Sequence, residues 1–253
     1  MKRFLPQLKH ETWKLLISPS SYIAAFLFLL VMGFLFQILL VDFASGPQES
    51  HPSTLFFRLF FVPVFFMVPL LTMRSVAEER SAGTIETLFT TPVTVAEVVL
   101  AKFAAAYAYY LALWLFTATF HLVFKFYAQG DATVDPLPIA SGYAYIALSG
   151  LLFLSLGILA SSLTRSQLVA GILGFTLVFG FIVVGSYLDE LMLLLEPRPE
   201  WTKALSRYVD SIAHMNDFAK GIVDTRAIVL YLSGCAAALF LSILKLEYQE
   251  EAA

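Results

Sequence analysis

Charge is scarce in this chain. Only 14% of its 253 residues are Asp, Glu, Lys or Arg, where a soluble domain carries about 25%. That shortage excludes a disordered chain and an ordinary soluble globule. Cysteine is nearly absent too. Cys235 stands alone, so no internal disulfide can form, and its apolar surroundings mark it as a packing residue. The dipeptide Gly-Lys does not occur, which removes a Walker A loop and with it nucleotide binding by the chain itself. His10, His51, His121 and His214 are scattered singly, so no zinc spacing exists. His121, near one end of an apolar run, reads as an interface histidine. No Gly-x-Ser pattern is present either, which argues against an intramembrane serine hydrolase. A net charge of −3 offers no basic face for nucleic acid.

Apolar residues fill the space. They make up 59% of the chain, and the mean hydropathy is +0.78. A membrane-spanning helix takes about 20 such residues. The expected fold is all-α: a single polytopic membrane domain over 1–253 with six transmembrane helices. The spans are predicted over 22–41, 55–73, 98–124, 142–163, 167–188 and 226–244. The first run is too long for a signal peptide's apolar core of about 7–15 residues, so it is read as retained.

The segments between the runs carry their own patterns. Residues 1–21 combine Lys2, Arg3, Lys9 and Lys14 with apolar residues at helical spacing and the single acid Glu11. They predict a basic amphipathic helix lying in the membrane interface. Ser18-Pro19 then has the form of an N-cap followed by proline at the first helical position. Pro63 and Pro69 fall inside the second span, where proline kinks a helix. Thr94 and Glu97 have capping-box spacing at the start of the third. Ala101, Ala104, Ala105, Ala108 and Ala112 form a stripe suited to close helix contact. Asp224 or Thr225 is a plausible cap for the sixth. In the long connection 189–225, Trp201, Leu205, Tyr208, Val209 and Ile212 fit a helical face and predict a short interfacial or re-entrant helical pair.

Six spans place both termini on one side. The first two loops of the opposite side, 42–54 and 126–141, hold no Lys or Arg, so the positive-inside rule puts both termini in the cytoplasm. The segment 189–225 is then extracytoplasmic, and 74–97 becomes a cytoplasmic loop. It holds Glu78-Glu79-Arg80, Gly83-Thr84, Glu86, Leu88 and Pro92. Thr84 can cap a short helix with Glu86 in its first turn. Small Gly83 would permit a close backbone approach, and Glu78, Glu79 and Arg80 could pair across a subunit interface.

This loop resembles the intracellular coupling loop of ABC-2-type transporter permeases. Glu78, Glu79, Arg80, Gly83, Thr84, Glu86, Leu88 and Pro92 follow that family's pattern in order, and Lys102 matches a lysine that often follows it. Ser18-Pro19, Tyr22 and Gly33 are similar to its first span. His214, Phe218, Gly221, Asp224 and Tyr231-Leu232-Ser233 resemble the approach to its last span, in the subgroup of gliding-motility and nitrous-oxide-reductase-maturation permeases.

The resemblance implies a non-catalytic membrane subunit in a bacterial inner membrane, embedded in the lipid bilayer. It would pair with a second permease subunit, as a homodimer or a heterodimer. A separate cytoplasmic ABC ATPase would bind the ATP, so no cofactor is expected on this chain, and the eight loop residues would contact that ATPase. The few charges within the spans agree with an external energy source and hint at an apolar, amphipathic or envelope-related cargo. The alternative is a non-transporting ABC complex that passes ATP-driven motion to an extracytoplasmic auxiliary protein docked on 189–225.

Overall fold

The computed structural model describes residues 4–44, 52–84, 93–127, 136–192 and 200–251. All regular structure among them is helical. Helix α1 (Phe4–Ile17) is followed after Ser18 by α2 (Pro19–Ala44), with Pro19 as its first residue. Then come α3 (Pro52–Arg58), α4 (Phe61–Thr72) and the short α5 (Ala77–Ser81). The second half contains α6 (Val95–Phe116), α7 (Ala118–Tyr127), α8 (Pro136–Leu163) and α9 (Gln167–Met192). It closes with α10 (Glu200–Val209), α11 (Ser211–Phe218) and α12 (Thr225–Glu251).

Six stretches are long and apolar enough to cross a membrane: Pro19–Asp42, Phe61–Ser81, Val95–Val123, Pro136–Leu163, Gln167–Leu188 and Thr225–Gln249. A bilayer core supplies no hydrogen bonds, so each chain segment satisfies its backbone within its own helix.

The second span departs from the predicted single helix over 55–73. The helix breaks at Leu59 and Phe60, where three backbone N–H groups bond three residues back instead of four. The cause is Pro63, which has no N–H and whose ring would meet the Leu59 carbonyl. Helix α4 restarts at Phe61, so Pro63 sits harmlessly in a first turn and only Pro69 lies in the interior. The third span opens with the predicted capping box, in which Thr94 and Glu97 each bond the other's backbone N–H. It is interrupted at Thr117, whose N–H and hydroxyl both turn back to the Trp114 carbonyl.

Helix α8 is the centre of the bundle, packed by α4, α6, α9, α11 and α12. Its face of Gly142, Gly150 and Gly157 explains why. A methyl group there would collide with Phe57, Tyr110 and Thr72 respectively, so neighbouring helices approach closer than any larger residue allows. The predicted alanine stripe on the third span plays this part only at Ala101 and Ala105. Ala108 and Ala112 are exposed, because α6 turns that side away from its neighbours.

The core between these helices is aromatic. Trp114 lies 5.0 Å from the Phe28 ring and 5.1 Å from Phe60, centroid to centroid. His121 belongs to it as well, buried against Phe56, Phe57 and Tyr143 near the end of the third span.

The pair α10–α11 covers the side of the bundle opposite the termini. The predicted face from Trp201 to Ile212 is split at Asp210, whose carboxylate accepts the N–H groups of Ile212 and Ala213 and starts a new helix. On α10 the apolar residues Trp201 and Leu205 point outward, while Thr202 and Ser206 are buried. Helix α11 is pinned inward. Tyr145 Oη on α8 donates to the Ser211 carbonyl at 2.9 Å and lies 2.8 Å from Tyr231 Oη on α12. After α11, Asp224 caps α12 through the Arg226 N–H at 2.8 Å.

Candidate functional site

On the side of the termini, the candidate span Phe61–Ser81 ends in a polar hairpin segment, residues 73–84, in which a turn at 73–76 leads from α4 into α5. Helix α5 has no side-chain cap of its own. Its first free N–H groups, on Val76 and Ala77, donate instead to Ser161 Oγ at 3.1 and 3.0 Å, and Ser161 donates to the Met73 carbonyl at 3.2 Å. One hydroxyl from α8 thus shapes the turn that leads into the hairpin. Arg80 returns the favour. Its Nη1 donates to the carbonyls of Ser162 at 2.6 Å and Thr164 at 3.3 Å, where α8 runs out of intrahelical donors.

The acidic residues of the hairpin are also engaged within the chain. Arg74 grips Glu78 through two contacts, 2.6 Å from Nη2 and 3.1 Å from Nε, four residues along the same segment. Glu79 reaches two other helices. Its Oε1 lies 2.6 Å from Lys102 Nζ on α6 and 2.9 Å from Lys14 Nζ on α1. Lys102 in turn lies 2.9 Å from Glu11 Oε1, also on α1, and Gln7 steadies that carboxylate at 3.1 Å. Burial alone would pull Lys14 below the usual lysine range. The Glu79 hydrogen bond and the charges of Glu79, Glu11 and Glu78 outweigh it and hold Lys14 above that range.

Glu78, Glu79 and Arg80 each have a partner within this chain: Glu78 in Arg74 of the same segment, Glu79 in Lys14 and Lys102, and Arg80 in the end of α8. Residues 81–84, the tip of the described part of this segment, are all exposed. Gly83 is there for its backbone. Its φ is +68°, and no atom lies within 4 Å of where a Cβ would stand. Thr84 Oγ1 donates to the Glu79 carbonyl at 3.2 Å. Glu86, Leu88 and Pro92 lie outside the described residues.

Sequence reasoning passed over Glu11, Lys14, Arg74 and Ser161. A signal existed for Glu11. It is the one acid in a basic segment, and Lys102 is the one charge within the apolar run over 98–124. Two opposite oddities at facing positions invite pairing.

A second feature lies along the bundle. An open cavity of about 740 Å³ lies between α2, α4 and α9. Phe28, Val31, Pro63, Met67, Ile172 and Phe175 are among its walls, and Gln167 is the one polar side chain there. Among the described residues no group of three or more His, Cys, Asp or Glu side chains could hold a metal ion.

The profile of ABC-2 family transporter proteins matches residues 25–244, nearly the whole chain. This chain belongs to the ABC-2 transporter family. Over 155 residues it is 28% identical to the probable multidrug ABC transporter permease YbhR of Escherichia coli (strain K12), and equally to that of Escherichia coli O157:H7. The match covers 61% of this chain and 39% of each relative, so the chain spans about two fifths of the length of the curated relatives it matches. As an ABC-2 protein it is a multi-pass membrane component of a transporter. The hairpin is its built feature on the side of the termini, and the cavity opens among the apolar helices α2, α4 and α9.

Proposed function

We propose that the hairpin is where a separate ABC ATPase drives this ABC-2 permease, and that the cavity between α2, α4 and α9 receives an apolar or amphipathic cargo. The side of the termini is then cytoplasmic, the membrane a bacterial inner membrane, and a second permease subunit completes the transporter. The ATP is bound by the ATPase, and this chain supplies no catalytic group.

The observation that carries the reading is the wiring of the hairpin. Ser161, Arg80 and Glu79 join it to three other elements, while residues 81–84 are exposed. A push on the tip cannot be absorbed locally and passes into α1, α6 and α8. The cavity supports the cargo class. Nearly every wall is apolar, and a volume of about 740 Å³ lies within the range of about 300–1,000 Å³ typical of small-molecule pockets. The multidrug designation of the Escherichia coli relatives agrees with such a cargo.

The test is co-purification. The full chain should retain an ABC ATPase from a membrane extract and lose it when residues 82–91 are replaced by a Gly-Ser stretch of equal length. Retention of the ATPase by that variant would overturn the assignment of the tip. Vesicles containing the pair should take up a fluorescent apolar cation only with ATP.

A further inference from the structure

The four charges of Glu11, Lys14, Glu79 and Lys102 sit where three chain segments meet, and their arrangement is unequal. Lys102 is the most enclosed, with 2% of its side chain exposed, against 8% for Glu11, 17% for Glu79 and 40% for Lys14. An ammonium group so deeply buried is tolerated only with full charge compensation. Two carboxylates supply it from different elements, Glu11 from α1 and Glu79 from the hairpin. These residues are 91 and 23 positions away in sequence, so no local helix rule brings them together. Stability alone does not call for such a cluster, because apolar residues of similar size fill a buried site as well or better.

The cluster is also incompletely satisfied. Glu79 uses Oε1 for both lysines, and its Oε2 is buried without a hydrogen-bond partner. A buried acceptor left open makes the contact easier to break than a saturated one. Lys102 is thus a joint that holds two elements in register, with one arm poised to loosen.

We propose that Lys102 is a positioning residue of the drive. By bridging Glu11 and Glu79 it makes the amphipathic helix α1 and the hairpin move as one body with the third span. This rests on the reading of the hairpin as the ATPase contact. With the joint intact, displacement of the tip carries α1 along the membrane surface. With the joint cut, only the half-exposed Lys14–Glu79 contact ties the hairpin to α1, and α1 lags behind the tip.

The experiment uses the full chain in lipid nanodiscs with Cys235→Ser, His10→Cys and Ser81→Cys, both labelled positions being exposed. Spin-label distances between α1 and the hairpin should be narrow in this background and with Lys102→Arg. Lys102→Met should broaden them. Glu11→Gln, which leaves Lys102 compensated by Glu79, should broaden them less and guards against loss of folding in the Met variant. In the complex with the co-purifying ATPase, Lys102→Met should keep the ATPase bound but lower cargo moved per ATP by about tenfold, within the usual range for coupling between sites. Lys102→Arg should restore it. An unchanged distance distribution in both Lys102→Met and Glu11→Gln overturns the joint, and so does full coupling in Lys102→Met. If the distances behave as stated but ATP drives no transport in the unsubstituted complex, the joint stands and the ATPase reading falls.

Discussion

Arg80 Nη1 lies 2.6 Å from the Ser162 carbonyl oxygen, so the last turn of the central helix α8 is closed by a side chain from the hairpin. The same guanidinium reaches Thr164 in the three-residue link to α9. A residue that looked available to a partner thus terminates the bundle's main helix. Arg80→Ala should cost about 1–2 kcal/mol, the scale of a hydrogen bond from a charged donor at a partly exposed site. Thermal unfolding in detergent should show the loss as a lower midpoint, and Arg80→Lys should recover part of it.

Ser161 should be less forgiving. Its hydroxyl accepts the N–H groups of both Val76 and Ala77 at a fully buried site. Ser161→Ala leaves two buried donors open, at about 1–3 kcal/mol each. Faster amide exchange at residues 76 and 77, with little change in α12, is the expected signature.

At Gly83 the backbone decides the outcome. With φ at +68°, alanine should cost about 1–2 kcal/mol of local stability. Asparagine, which visits this region more readily, should cost less. Valine should be worst. Proteolysis rates at the hairpin across the three variants would check the order.

His214 should contribute acid sensitivity on the side opposite the termini. Burial pulls its pKa below the usual histidine value, more strongly than Asp210, Asp224 and Asp217 raise it. Both ring nitrogens are buried without partners, beside Tyr231. The unfolded chain therefore takes up the proton first. The contribution of neutral His214 is fully present above about pH 6.5 and is lost as pH falls through the lower folded value. His214→Leu should be at least as stable at neutral pH and lose less stability between pH 7 and 5, as read from unfolding midpoints.

Filling the cavity should separate cargo from drive. Ile172 lies on its wall and is well exposed. Ile172→Trp should weaken uptake of a bulky apolar compound several-fold while leaving ATPase binding intact. Equal loss of both would argue that the cavity is structural.

Much of the candidate site was legible in the sequence, though not its wiring. The hairpin's place between the second and third spans followed from a polar stretch between two apolar runs. The capping box at Thr94 and Glu97 followed from a four-residue pattern that needs no tertiary partner. The partners of Glu79 and Arg80 did not follow, because they come from α1, α6 and α8. The break before α4 could have been read from Pro63, since the clash with the preceding turn is local.

The sequence by itself determined the number and approximate limits of the spans and their helical character. Transfer into a bilayer is decided side chain by side chain, and each helix satisfies its own backbone. The tertiary structure alone decided which helix lies at the centre, which face of α6 and α10 turns outward, and where the few charges go. Those outcomes depend on contacts between segments far apart in the chain. Glu11 and Lys102 meet only because α1 packs along α6, and no property of either segment alone specifies that meeting.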